Sequence, residues 1–142
     1  QWEKNEREVY TGQWMLCELN REFPTWLTIW PRERMDKLFG SKTIRTGNET
    51  FDKRFNVSSD DEAAALHILT PDCAEKILAL ADSSFGKFAI NLNRDGRLYL
   101  AVHSGHGFFD LGKGREDPAQ LRRRFTRELT WFTNMIDVFR GA

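Results

Sequence analysis

Hydrophobic and polar residues alternate most clearly in two parts of the chain. In residues 51–57, FDKRFNV, the side chains of Phe51 and Phe55 fall on one face of a strand, and polar side chains fall on the other. Residues 87–103, KFAINLNRDGRLYLAVH, show the same period on both sides of a turn at residues 93–96. The first pattern predicts a half-buried strand, and the second predicts a β-hairpin with one apolar face.

Two consecutive helices are predicted in the middle of the chain. Ser59 stands three residues before Glu62, which is the spacing of a capping box and predicts a helix over residues 60–69. Thr70 then caps a second helix, and Pro71 takes its first position, where the missing N–H costs no hydrogen bond. The apolar stripe of this second helix consists of Cys73, Ile77, Leu80 and Ala81.

The longest predicted helix closes the chain. Asp117 and Pro118 open it, and its apolar period continues to about Arg140. Its stripe consists of Leu121, Phe125, Leu129, Phe132, Ile136 and Phe139. This pattern predicts an amphipathic helix that packs its phenylalanine-rich side against the apolar face of the hairpin.

Two charged residues fall at apolar positions of these patterns. Glu128 lies inside the stripe of the last helix, and Lys53 is in phase with the phenylalanines of residues 51–57. One explanation is that Glu128 bonds to Arg124 one turn earlier, while Lys53 extends its ammonium group to water. The other is that Glu128 and Lys53 meet as a buried ion pair that fixes the packing register.

The first 50 residues give weaker patterns. Residues 8–19 are rich in β-formers with apolar side chains on both faces and an interruption at Gly12, so we expect a bulged strand that is covered on two sides. Residues 26–30 predict a second strand that Pro31 ends, and residues 46–48 predict a turn into the strand at 51–57. A short helix expected after Pro31 contains Met35, Leu38, Phe39 and Gly40.

This order of strands and helices does not alternate, which argues against a doubly wound parallel sheet. The sequence predicts an α+β fold, in which an antiparallel sheet has helices packed on one face and a long C-terminal amphipathic helix. Residues 1–142 are enough for a single soluble globular domain. Because the chain begins at Gln1 and contains no long apolar run, we expect it to be a fragment of a longer protein.

The charge and cysteine content narrow the possible functions. The 21 basic residues balance 21 acidic ones, so the net charge gives no reason to expect nucleic-acid binding. Cys17 and Cys73 are far apart and form no Cys-x-x-Cys motif, which argues against a zinc knuckle and a disulfide-rich scaffold. Cys73 lies on an apolar stripe, which is typical of a small core residue.

The only pattern that suggests metal chemistry lies at residues 103–110, at the start of the glycine-rich segment 104–116. His103, His106 and Asp110 are candidate ligands of a divalent metal, although exposed loop histidines would give the same spacing. Residues 107–114, GFFDLGKG, resemble a phosphate-binding loop but end in a glycine where that motif requires Ser or Thr. We therefore expect no nucleotide and no other cofactor.

Basic residues concentrate at the start of the last helix. They are Lys113, Arg115, Arg122, Arg123, Arg124 and Arg127. A helical wheel spreads the arginines around the polar side, which is usual for a solvated face. An acidic partner or lipid headgroups could also bind there.

Several segments from Phe51 onward resemble a known family. They are residues 51–71 (FDKRFNVSSDDEAAALHILTP), 95–105 (DGRLYLAVHSG), 108–112 (FFDLG) and the closing helix. Over roughly the last 90 residues the chain resembles domain of unknown function family 3137, a family of bacterial membrane-attached proteins. The resemblance implies a soluble domain tethered behind one or two membrane-spanning helices, on the cytoplasmic face of the membrane. It implies no catalytic residues.

The leading interpretation is a non-enzymatic interaction or sensor module on the cytoplasmic side of a membrane protein. Its expected partner is another protein or its own upstream membrane segments, and the membrane is reached through segments outside this chain. One alternative is a small hydrolase or metal-dependent enzyme that uses residues 103–110. Another is a module that binds acidic lipids or nucleic acids through the basic C-terminal helix.

Overall fold

Five strands and four helices make up the part of the chain that the structure, a computed structural model, describes: residues 12–33, 43–104 and 117–141. In chain order they are β1 (Gln13–Glu18), β2 (Leu27–Pro31), α1 (Glu49–Arg54), β3 (Phe55–Ser58), α2 (Glu62–Ile68), α3 (Pro71–Asp82), β4 (Lys87–Leu92), β5 (Arg97–His103) and α4 (Pro118–Arg140). The short helix expected around Met35, Leu38, Phe39 and Gly40 lies outside the described residues.

The five strands form one antiparallel sheet in the order β1-β5-β4-β2-β3. The predicted hairpin forms its centre, with Phe88 opposite Val102 and Ile90 opposite Leu100. Directly opposed residues share one face of a sheet, and the side chains of all four residues are buried, so this face belongs to the core. This arrangement confirms the predicted α+β class.

Helix α4 covers the buried face of the sheet. The rings of Phe88 on β4 and Trp131 on α4 lie 5.1 Å apart, centre to centre, in an edge-to-face contact. Trp131 also donates a 2.8 Å hydrogen bond from its indole N–H to the carbonyl of Leu80, which joins α4 to α3. The predicted stripe is buried at Phe132, Ile136 and Phe139, and the sequence did not predict that Trp131 and Met135 are buried beside it.

Residues 49–54 form helix α1, so the strand predicted over residues 51–57 is wrong in its first half. Asn48 caps this helix, because its side chain accepts a 3.1 Å hydrogen bond from the N–H of Phe51. Gly47 precedes it with φ +92°, a conformation that suits glycine. The buried carboxylate of Asp52 holds this turn by accepting hydrogen bonds from Thr46 N–H at 3.0 Å and Gly47 N–H at 3.2 Å. Only Phe55–Ser58 remain as strand β3.

Helix α2 begins at Glu62, two residues later than the capping box predicted. Ser59 does not cap it: the Ser59 hydroxyl donates to the carbonyl of Trp26 at 2.7 Å and accepts from the N–H of Asp61, which lies before the helix, at 3.3 Å. Asp61 is the cap instead, and it accepts from the N–H of Ala64 at 3.1 Å. The other two predicted caps are confirmed: Thr70 caps α3, and Asp117 caps α4.

Candidate functional site

The face of the sheet opposite to the helices is exposed at β1, which is an edge strand. Trp14 is 66% exposed and Leu16 is 46% exposed, although both belong to the regular strand β1. The expectation that this strand is covered on two sides is therefore wrong at both positions. Large apolar side chains rarely remain in contact with water in a cluster, so such a cluster marks a candidate interaction surface.

A groove crosses this exposed surface beside Trp14. Trp14 lies opposite Ala101 on β5, and Ala101 lies opposite Ala89 on β4. Because alanine side chains are short, the two alanines leave a groove of about 340 Å³. We call this surface the open face, and it consists of Trp14, Leu16, Thr28, Ala89, Asn91, Tyr99 and Ala101.

A buried polar network anchors β1 behind the open face. The Glu128 carboxylate on α4 accepts a 2.7 Å hydrogen bond from the side-chain amide of Gln13, and both residues are buried. The Glu128 carboxylate also lies 3.6 Å from the guanidinium of Arg124. The hydroxyl of Ser104 donates to the Gln13 side-chain oxygen at 2.8 Å. The Arg124 explanation of Glu128 is thus confirmed, and the ion pair with Lys53 is wrong because Lys53 is exposed on α1.

Of the three candidate metal ligands, only His103 lies among the residues that the structure describes. His103 is exposed at the end of β5. His106 and Asp110 lie outside the described residues, as do residues 107–114 with their partial phosphate-loop pattern and the basic residues Lys113 and Arg115. Within residues 12–33, 43–104 and 117–141, no group of three or more His, Cys, Asp or Glu side chains could hold a metal ion.

Cys73 and the arginines of α4 are the remaining residues that the sequence singled out. Burial raises the pKa of the Cys73 thiol to about 12, so this cysteine is a protonated core residue at neutral pH. Arg122, Arg123 and Arg127 are exposed on α4, whereas Arg124 is largely buried beside Glu128.

An exposed carboxylate joins β3 and α2 to the loop before β2. The Thr25 hydroxyl donates a 2.6 Å hydrogen bond to Asp60, and the Arg94 guanidinium donates another at 2.6 Å. These contacts, Thr25 first, hold the pKa of Asp60 below its ordinary value of 3.8. The contacts of Asp60 connect three segments of the fold near the end of β4, and their role is structural.

Comparison with known proteins identifies a family over nearly the whole chain. Residues 8–140 match the sequence profile described as "Protein of unknown function (DUF3137)". The chain belongs to the DUF3137 family. The DUF3137 match includes β1 and β2, and so it extends further towards the N terminus than the resemblance over roughly the last 90 residues. No curated protein and no solved structure matches the chain.

None of the helices described in this DUF3137 domain combines the length and the apolar character that crossing a membrane requires. The residues of the open face were missed at the sequence level because Trp14 and Leu16 were assigned to a doubly covered strand. The pair Ala89 and Ala101 gave a usable indication, since small residues opposite each other in a hairpin leave a depression on that face.

Proposed function

We propose that this DUF3137 domain is a non-enzymatic interaction module that binds an amphipathic helix of a partner protein on its open face. The observation that carries the proposal is the 66% exposure of Trp14 beside a groove with an alanine floor. Exposed tryptophans next to a pocket are frequent binding anchors, because they bury a large area at little conformational cost.

The dimensions of the open face favour a helix as its occupant. Neighbouring strands lie about 4.8 Å apart, so β1, β5 and β4 span about 10 Å from first to last. A helix with its side chains has a diameter of about 10 Å and would lie along these three strands. A leucine or similar side chain of that helix would enter the groove above Ala89 and Ala101 and contact the Trp14 ring.

The helix layer on the other side of the sheet supports the same occupant. The buried face of this sheet already packs against helices, with Phe88 in contact with Trp131. A helix on the open face would complete a three-layer arrangement, which is the usual way to bury both faces of a sheet. We propose that this helix belongs to another protein.

The cellular setting of this proposal rests on the family resemblance. The module would be held on the cytoplasmic face of a membrane by segments outside this chain. A domain held in this way meets membrane-bound partners at a raised effective concentration, so a modest affinity of the open face would suffice.

A designed peptide tests the proposal directly. The probe is an amphipathic helix with leucines at positions i, i+3, i+4 and i+7, and the control peptide has the same composition in a permuted order. We expect the first peptide, and not the second, to shift the backbone NMR signals of Ala89, Tyr99 and Ala101. Trp14→Ser should weaken binding by about tenfold or more, since an aromatic anchor contributes about 2 kcal/mol.

Two substitutions at one position provide a matched control. Ala101→Leu should fill the groove and prevent binding, whereas Ala101→Ser should leave the groove open and binding intact. Equal binding of the two peptides, or binding that both Ala101 variants retain, would contradict the proposal. A concentration-dependent dimer in analytical ultracentrifugation that Trp14→Ser abolishes would show that the occupant is a second copy of this chain instead.

A further inference from the structure

A second concave site lies at the end of the sheet where β2 ends and β4 begins. It is a cleft of about 450 Å³, within the range of about 300–1,000 Å³ that small-molecule sites occupy. Residues from β2, α1, β3, the end of α3 and the start of β4 line it. We call it the cationic cleft, because four basic residues line it: Arg32, Lys53, Arg54 and Lys87.

The charge of the cationic cleft is not balanced within its lining. None of the described residues that line it is acidic. Arg54 pairs with Asp82 at 2.9 Å and Lys87 pairs with Glu33 at 3.2 Å, and all four of these side chains are substantially exposed. Exposed pairs of this kind are weak and exchange readily with water and other ions, so Arg54 and Lys87 remain available to an anion.

Arg32 and Lys53 are the cations that carry the argument. Arg32 donates from Nε to the carbonyl oxygen of Asp52 at 3.0 Å, which fixes the plane of its guanidinium group. Among the described residues, neither terminal nitrogen of Arg32 has a hydrogen-bond partner, and Lys53 has no ion-pair partner. A fixed guanidinium group whose two terminal NH₂ groups are free is suited to a tetrahedral oxyanion, which accepts two parallel hydrogen bonds from them.

The floor of the cationic cleft is aromatic. Phe55 and Phe88 line it with ring centres 5.4 Å apart, and the Arg54 guanidinium lies 5.9 Å from the centre of the Phe55 ring. An apolar floor excludes water from one side of a bound anion and strengthens its contacts with the surrounding cations. It also offers a surface for the organic part of a ligand.

A close backbone contact fixes the wall of the cationic cleft. Gly86 lines the cleft next to Lys87, and a side-chain carbon at this position would collide with the carbonyl of His103. Glycine is therefore required for the two strands to approach this closely. The wall that carries Lys87 is set in place before any ligand binds.

We propose that the cationic cleft binds a phosphoryl group, carried by a small organic molecule or by a lipid headgroup, through Arg32 and Lys53 with support from Arg54 and Lys87. This site is independent of the open face and uses none of its residues. The local concentration of positive charge in a chain with no net charge, together with the preset guanidinium of Arg32, distinguishes it from a scattered basic surface.

Titration of the 142-residue chain with inorganic pyrophosphate tests this proposal. We expect shifts of the backbone NMR signals of Lys53, Gly86 and Lys87 that saturate with pyrophosphate concentration and weaken as salt is added. Lys53→Gln should raise the dissociation constant about tenfold, the usual effect of losing one charge-assisted hydrogen bond. Because Lys53 is exposed and forms no ion pair with any residue that the structure describes, this variant should fold as the natural chain does.

Matched controls separate the cationic cleft from general charge. Lys76→Gln removes an exposed lysine of α3, and Arg97→Gln removes an exposed arginine at the start of β5, and neither residue lines the cleft. Both controls should keep the dissociation constant within about twofold, whereas Arg32→Gln should weaken binding about tenfold. Equal effects of the cleft and control variants, or no shifts at the cleft, would overturn the proposal.

Two further arms identify the source of the phosphoryl group. Flotation with vesicles containing phosphatidic acid, compared with phosphatidylcholine alone, tests the lipid source, and competition by pyrophosphate would place that binding in the cationic cleft. Binding of pyrophosphate without flotation would indicate a free phosphorylated molecule. Citrate binding as tightly as pyrophosphate would overturn the selectivity for phosphoryl groups, and flotation that pyrophosphate does not reverse would show that lipid binds outside the cationic cleft.

Discussion

Gln13 and Glu128, 115 positions apart in the sequence, share a 2.7 Å hydrogen bond in the interior of the protein. This bond joins the first strand of the sheet to the last helix, and the Arg124 guanidinium lies 3.6 Å from the same carboxylate oxygen. A buried carboxylate is stable only when its hydrogen-bonding capacity is satisfied. The contribution of Glu128 to stability therefore depends on its contacts with Gln13 and Arg124.

Two substitutions of Glu128 should distinguish the contribution of its charge from that of its hydrogen bond. Glu128→Leu removes the hydrogen-bond acceptor of the Gln13 amide and the ion-pair partner of Arg124, and we expect the free energy of unfolding to fall by about 3 kcal/mol. Glu128→Gln keeps an acceptor oxygen and should cost about 1 kcal/mol. Denaturant unfolding measures both changes. Glu22→Leu, at an exposed position, should change stability by less than about 0.5 kcal/mol, and an equally small effect of Glu128→Leu would refute this role.

Asp52 should be essential to the turn before α1. Its carboxylate accepts hydrogen bonds from the N–H and the hydroxyl of Thr46, at 3.0 Å and 2.9 Å, and from the N–H of Gly47. In Asp52→Asn an amide N–H₂ group would face one of these donors, and we expect unfolding free energy to fall by about 2 kcal/mol. Asp137→Asn, at an exposed site on α4, is the control. Identical denaturation midpoints for the two variants would show that the Asp52 contacts contribute nothing.

Asp60 should contribute to the acid sensitivity of the fold. Since the Thr25 hydroxyl and the Arg94 guanidinium hold its folded pKa below 3.8, its ionised form stabilises the fold above that ordinary value. This contribution is lost as the pH falls through the folded pKa. Unfolding measured at acidic pH should show a shallower loss of stability in Asp60→Asn than in the natural chain. Thr25→Val should flatten the same region, and an unchanged acid slope in both variants would contradict the assignment.

The two cysteines should differ sharply in reactivity. Cys73 is buried with a pKa raised to about 12, whereas Cys17 is only half-buried on β1. Alkylation reacts with the thiolate and requires access, so iodoacetamide should modify one thiol in the native protein and two after unfolding. Mass spectrometry counts the added groups. Cys17→Ser should abolish labelling of the native protein, and rapid native labelling of that variant would show that Cys73 is accessible.

The elements with local boundary residues were predicted well from the sequence. Asp117 and Pro118 fix the start of α4, and the turn at residues 93–96 fixes the register of the hairpin. Helix α1 was missed because Phe51 and Phe55 fit a strand by alternation and a helix by their spacing of four. The order of Asn48 as cap, acidic Glu49 and Asp52, then basic Lys53 and Arg54 would have predicted the helix.

The two surfaces could not be derived from local patterns. Exposure of Trp14 depends on which elements cover each face of the sheet, and that is decided by the packing of distant helices. The cationic cleft combines Arg32, Lys53 and Lys87 from separate segments, and their spacing in the sequence follows no motif. The sequence instead favoured residues 103–110 as a site, because the candidate metal ligands His103, His106 and Asp110 are close together in the chain.

The approach of Gly86 to the carbonyl of His103 has a consequence for how the domain tolerates change. One backbone contact positions the lysine at the mouth of the cleft and also the point where the chain leaves the sheet after β5. Even a methyl group at residue 86 would displace both Lys87 and the end of β5. Any residue other than glycine at position 86 should therefore change the shape of the cleft and the path of the chain after β5.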